Sequence, residues 1–151
     1  MGSFELGTDG PGAIVVGVDG SPTSLRAAAY AAGLARRQHT KLIAVYARTS
    51  PATLLTLADH SGLATSAVLQ TQDELEASLR AELARQTEAW GLDACLVVRR
   101  GDPLSVLAAV ATETRADALI VGSSASVGHR IAGSLASRLI RCGRWPVTVV
   151  P

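Results

Sequence analysis

Short apolar runs alternate along the chain with longer segments whose apolar residues recur every three or four positions. Ala13-Ile14-Val15-Val16-Gly17-Val18 is the first run and Lys41 to Ala47 the second. Ala94 to Val98, extending into Arg99-Arg100, is the third; Ala118 to Val121 and Val147 to Val150 are the fourth and fifth. Runs that stay apolar instead of alternating predict strands buried on both faces of a sheet.

The segments between them predict helices. Ser21 is placed as an N-cap with Pro22 at the first helical position, and the helix runs from about Thr23 to Gln38. Leu25, Ala28, Ala29, Ala32 and Ala35 form its expected inner face, small enough to lie close to a sheet. Arg36, Arg37 and His39 crowd its C-terminus, where the helix dipole favours cations. Residues 48–68 are rich in Thr, Ser and Ala with weak periodicity, and read as a loop or lid. Leu75, Leu79, Leu83 and Trp90 then fall near one helical face, and Gly91 ends that helix. Gly101-Asp102-Pro103 repeats the grammar of the first turn, with Asp102 as cap, and Leu104, Leu107, Ala108 and Ala111 give the next stripe. A short helix from Leu135 to Arg141 is closed by Gly143. The order β-α-β-α-β-α-β-α-β demands a parallel sheet with right-handed crossovers. Ligands of such open sheets bind at the C-terminal ends of the strands, where the strand order reverses.

Composition narrows the function. The 151 residues allow one domain of ordinary size, expected over 13–151 after a glycine-rich flexible tail at 1–12. Aromatics at 3% and a net charge of +1 argue against a nucleic-acid partner, which needs stacking rings and a basic surface. No apolar run approaches the 18 residues of a membrane span. The first residues lack the basic and apolar regions of a signal peptide, and Leu6 breaks the myristoylation pattern. Two cysteines make no disulfide framework. Cys95 is expected in the core; Cys142 sits at a helix end whose dipole disfavours a thiolate. A reducing cytoplasm is the expected compartment. His39 and His60 have no partners at metal-ligand spacing, so no metal is expected. Trp90 and Trp145 are read as core or interface anchors.

Two polar, glycine-containing turns follow strands and carry the candidate chemistry. One is Asp19-Gly20-Ser21. The other runs from Gly122, Ser123 and Ser124 through Gly128, His129 and Arg130 to Gly133 and Ser134. Glycine lets a backbone approach an anion, and N–H groups at a helix start supply positive potential. Arg130 suits phosphate, and His129 adds a donor. Each has a plainer reading. Asp19 can close its own turn, Gly122 can serve a tight strand exit, Ser134 can cap a helix, and His129-Arg130 can be a solvated loop tip. Gly128-x4-Gly133-Ser134 lacks the lysine of a P-loop. No Ser/His/Asp arrangement at telling spacing is present, so no catalytic residue is assigned.

Taken together, the motifs resemble the universal stress protein family over residues 13–151. The likeness rests on Ile14-Val15-Val16-Gly17-Val18-Asp19-Gly20-Ser21, Gly101-Asp102-Pro103, Val121-Gly122-Ser123, and Gly133-Ser134 followed by a helix and Trp145-Pro146-Val147-Thr148-Val149-Val150. The resemblance implies a Rossmann-like α/β fold: an open five-stranded parallel sheet of order 3-2-1-4-5 with helices on both faces. It also implies a homodimer joined through the last strand, Val147 to Val150, and, in one branch, ATP as ligand. In that branch Asp19 lies near the nucleotide and Val45 meets adenine through its backbone. A loop of pattern Gly-x2-Gly-x9-Gly-(Ser/Thr) holds ribose and phosphates, which puts Gly122, Gly133 and Ser134 at matching positions. The second glycine of that pattern falls on Ala125 here, and seven residues instead of nine separate it from Gly133. The expected function is a cytoplasmic stress-response protein with an adenine-nucleotide crevice, regulatory and not catalytic. A dimeric interaction module without nucleotide, and a slow ATP-hydrolysing enzyme relying on Arg130, are the alternatives.

Overall fold

The structure is a computed structural model, described here over residues 12–49, 63–123 and 134–151. Its elements follow in the order β1 (Ala13–Gly17), α1 (Pro22–Gln38), β2 (Lys41–Arg48), α2 (Leu63–Trp90), β3 (Ala94–Arg100), α3 (Pro103–Glu113), β4 (Ala116–Gly122), α4 (Ser134–Cys142) and β5 (Val147–Val150). The strands form one sheet of order β3-β2-β1-β4-β5. Every pairing is parallel, with Val15 beside Ile43 and Leu119, Ile43 beside Cys95, and Ile120 beside Thr148. The strand order therefore reverses between β1 and β4, as the resemblance implies.

Unbroken apolar strands make sense in this sheet because each face has its own core. Val15, Val45, Leu119 and Val121 point to one side and pack with Leu107 and Val110 of α3 and Leu139 of α4. Ile14, Val16, Leu42, Ala44 and Ile120 point to the other, against Ala27, Ala31 and Ala35 of α1. The side-chain period of two along a strand sends neighbours to opposite layers. Cys95 packs beside the first core as expected, and Cys142 is exposed.

The helix starts follow the sequence reading. The Ser21 hydroxyl accepts from the Ser24 N–H at 3.2 Å with Pro22 behind it, and an Asp102 carboxylate oxygen accepts from the Ser105 N–H at 3.1 Å with Pro103 behind it. The inner face of α1 differs from expectation. Its buried residues are Thr23, Ser24, Ala27, Ala31 and Ala35, while Leu25 is 46% exposed. Alanine on nearly every face left the periodicity without contrast, and contact between the first turn of α1 and β4 sets the rotation. In α3 the buried set is Val106, Leu107, Val110 and Ala111, with Leu104 half-buried.

The segment read as a loop or lid over 48–68 is in part regular. Arg48 ends β2 and α2 already runs at Leu63, so its helix is longer than its leucine stripe suggests. Arg48 is buried and anchors α2. It meets Asp73 at 2.6 Å and Glu76 at 3.0 Å, with Gln72 at 3.4 Å. Trp90 is not in the core: it is 60% exposed, with the Arg36 guanidinium over its ring at 4.8 Å. Trp145 is half-buried beside the first core, with Arg144 over its ring at 4.4 Å.

Candidate functional site

A cleft of about 260 Å³ opens at the C-terminal ends of β1, β2 and β4, beside the reversal in strand order. It stands where an open parallel sheet leaves room, because α1 departs to one face and α4 to the other. Val45, Ala47, Leu107 and Val121 supply an apolar slot, closed on the α4 side by Leu135 and Ala136. Asp19, Ser21, Thr23, Ser24 and Ser123 supply polar groups along the rim.

The turn after β1 is held by its own hydrogen bonds. One oxygen of the exposed Asp19 carboxylate accepts the Ser21 N–H at 2.9 Å. The Asp19 N–H donates to the Ser24 hydroxyl at 3.2 Å, and that hydroxyl donates to the Ser21 carbonyl at 3.0 Å. Partial desolvation against the cleft wall raises the Asp19 pKa. The bonds from Ser21 and Ser24 outweigh it and hold the carboxyl below the ordinary carboxylate range. Asp19 is therefore ionised at neutral pH. It is the only charged residue among the described residues lining the cleft.

Gly122 is needed for the approach of β4 to α1. A Cβ at this position would lie 2.6 Å from the Thr23 carbonyl carbon, 2.7 Å from its oxygen and 2.8 Å from the Ser24 nitrogen. These are backbone atoms, so no side-chain rotation relieves the clash. The tight strand exit considered for Gly122 is thus real, and it places the first turn of α1 on the cleft wall. On the far side, Asp102 fixes α3 against α4. Its two carboxylate oxygens meet the Arg138 guanidinium at 3.2 and 3.3 Å. Hydrogen bonds from the Ser105 backbone, and after it the Arg138 side chain, lower the Asp102 pKa.

The candidate residues divide into three groups. Asp19, Ser21, Val45, Gly122 and Ser123 line the one cleft. Gly20 does not. Its φ of +81° turns it to the opposite face of the sheet, where a Cβ would meet Leu75 Cδ1 at 2.7 Å. Ser124, Gly128, His129, Arg130 and Gly133 lie outside the described residues, as does the side chain of Ser134, whose backbone opens α4. Several backbone groups at the cleft are already engaged: the Val45 carbonyl accepts the Val18 N–H at 2.9 Å, and the Ser123 N–H donates to the Val150 carbonyl at 2.7 Å.

Sequence reasoning placed Val45 at the site but missed the rest of its apolar half. Leu107 and Val121 belong to the core and Ala47 packs against it, and their position at strand ends or in the first turns of α3 also puts them on the cleft wall. Thr23 and Ser24 were read as helix positions, although a polar pair right after a cap is a usable signal for a rim. Among the described residues, no three of His, Cys, Asp or Glu stand close enough to hold a metal ion. Nor is any described helix long and apolar enough to cross a membrane.

Comparison with known proteins agrees with this architecture. The profile of the universal stress protein family matches residues 12–151. No curated protein matches the chain. Among solved structures, a universal stress protein family member from Burkholderia pseudomallei superposes with a TM-score of 0.73 at 24% identity, covering 93% of this chain and 96% of its own. A universal stress protein solved in complex with cAMP has a TM-score of 0.67 at 26% identity, over 92% and 96% of the two chains. A universal stress protein family protein from Arabidopsis thaliana, with AMP bound, has a TM-score of 0.64 at 16% identity, over 93% and 91%. With the β3-β2-β1-β4-β5 parallel sheet, the two glycine turns and a profile match over nearly its whole length, the chain belongs to the universal stress protein family.

Proposed function

We infer that the cleft binds an adenine nucleotide and that its occupancy regulates the protein's associations without turning over substrate. The carrying observation is the pairing of an apolar slot, made by Val45, Ala47, Leu107 and Val121, with one ionised carboxylate, Asp19, and the hydroxyls of Ser21 and Thr23. A flat apolar base fits the slot; a carboxylate and hydroxyls suit the hydroxyls of a ribose. The described lining has no lysine or arginine, so phosphate would rely on the N-terminal end of α4 and on His129 and Arg130 of the loop. The relatives solved with cAMP and with AMP support an adenine nucleotide as the class of ligand. ATP is the particular ligand proposed. Ser124, Gly128 and Gly133 are proposed to shape the loop, and Ser134 to meet the phosphates. Cytoplasmic residence and a homodimer through β5 complete the reading.

Isothermal titration with ATP, ADP, AMP and cAMP tests it. The expected result is saturable heat for at least one of them, at a Kd of roughly micromolar order, about −8 kcal/mol. Asp19→Asn is expected to weaken binding about tenfold, the cost of one charge-assisted hydrogen bond. No heat from any of the four at about 100 μM protein, where micromolar sites report, would leave the dimeric interaction module as the better reading.

A further inference from the structure

On the opposite face of the sheet from α3 and α4, a second cavity of about 650 Å³ lies between α1 and α2. α1 leans toward β1 and β4 while α2 lies over β3, which leaves the face of β2 thinly covered. The α2 wall carries Leu75, Leu79 and Leu83. The α1 wall carries Ala28, Ala32 and Gly33, which are too small to reach across. The cavity is thus a direct product of the alanine-rich stretch of α1. Such a lining repels water and gains by taking up apolar atoms. Its volume falls within the range of small-molecule sites, roughly 300–1,000 Å³.

Chemistry at one end of the cavity selects the ligand. Arg36 and Trp90, from the last turns of α1 and α2, both line it. The Arg36 guanidinium rests over the Trp90 ring at 4.8 Å, and no carboxylate among the described residues pairs with it. Glu82, also on the wall, is already held by Arg85 and Gln86. A guanidinium stacked on an indole keeps its edge free for a planar anion and loses little freedom on binding one. We propose that this cavity binds an amphipathic carboxylate, its alkyl or aryl body between α1 and α2 and its head group on Arg36. The site is separate from the nucleotide cleft and does not depend on it.

Decanoate is the probe, followed by calorimetry and by tryptophan fluorescence, to which Trp90 reports directly. Saturable one-to-one binding below the micellar range is expected. Arg36→Gln is expected to weaken decanoate at least tenfold and to leave 1-decanol unchanged, because the alcohol presents no charge. Ala32→Phe fills the cavity and is expected to abolish binding of both. Ser78→Phe, at an exposed position on the α2 wall, serves the same end if Ala32→Phe fails to fold. Titration of AMP into the same variants reads the other cleft separately. Unsaturable partitioning, or equal decanoate binding by the filled variants, would overturn the proposal. So would a dimer that dissociates in the filled variants while decanoate has no effect, since the groove would then belong to a second copy.

Discussion

Gly122 shows how one missing methylene sets a site. The β4 strand and the first turn of α1 meet backbone to backbone there, and a Cβ would stand under 3 Å from three atoms that cannot rotate away. Gly122→Ala is expected to cost about 2–3 kcal/mol through forced backbone movement, read as a lower denaturation midpoint at unchanged m-value. Nucleotide affinity should fall with it, since the same contact aligns Thr23 and Ser24 with the cleft. Asp102 acts through charge. Its folded pKa is depressed, so its contribution is fully present above the unfolded value of about 3.9 and is lost as pH falls through the lower folded value. The stability difference between the native chain and Asp102→Asn should therefore be flat above about pH 5 and shrink as acid is added. Asp102→Ala, which also removes the cap, is expected to cost about 1 kcal/mol at neutral pH by thermal or chemical denaturation. A difference that grew toward low pH would contradict this assignment.

At the scale of elements, α1 and α2 are docked by different means. α1 presents alanines and lies close to the sheet; α2 is long, mostly exposed, and fastened near its middle, at Gln72, Asp73 and Glu76, by Arg48. Asp73 is 68% exposed and rehydrates readily, so the arginine contributes less than a fully buried pair would. Arg48→Ala is expected to cost about 2 kcal/mol and to raise amide exchange in α2 before β1 or β4. Arg48→Met, which keeps the apolar stem, should cost less. Element types were legible because strands buried on both faces carry unbroken apolar runs, and because Ser21-Pro22 and Asp102-Pro103 announce helix starts. The rotation of α1 was not legible. Its alanines offer two faces of equal apolarity, and only the β4 contact chooses between them. The extent of α2 beyond its leucine stripe was hidden for a related reason: Ser66, Ala67, Val68 and Gln70 are exposed, so this stretch carries no periodic signal of burial.

At the scale of the molecule, β5 is an edge of the sheet and, among the described residues, pairs only with β4. The Leu119 N–H reaches the Pro146 carbonyl and the Ser123 N–H reaches Val150. By the alternation of a parallel ladder, Thr148 and Val150 point their backbone groups at β4, while Val147 and Val149 point theirs outward. If two copies pair through this edge, Val149→Pro should convert dimer to monomer in light scattering while leaving the sheet intact. Proline is tolerated where the lost N–H faces out of a sheet. A monomeric native chain would refute the edge dimer before the variant is made.

The sequence by itself determined the kind and order of the described strands and helices, the family, and the two polar turns that follow β1 and β4. These are local properties: burial on two faces, helix caps and glycine turns are each written in a few adjacent residues. Tertiary structure alone decided which of those residues face one another. It turned Gly20 away toward Leu75 while Asp19 stayed on the cleft. It opened Ala47, Leu107 and Val121 to the site, and it left α1 and α2 apart over β2. The reason is physical: a face is shared by residues distant in the chain, and its geometry follows from how closely whole elements approach.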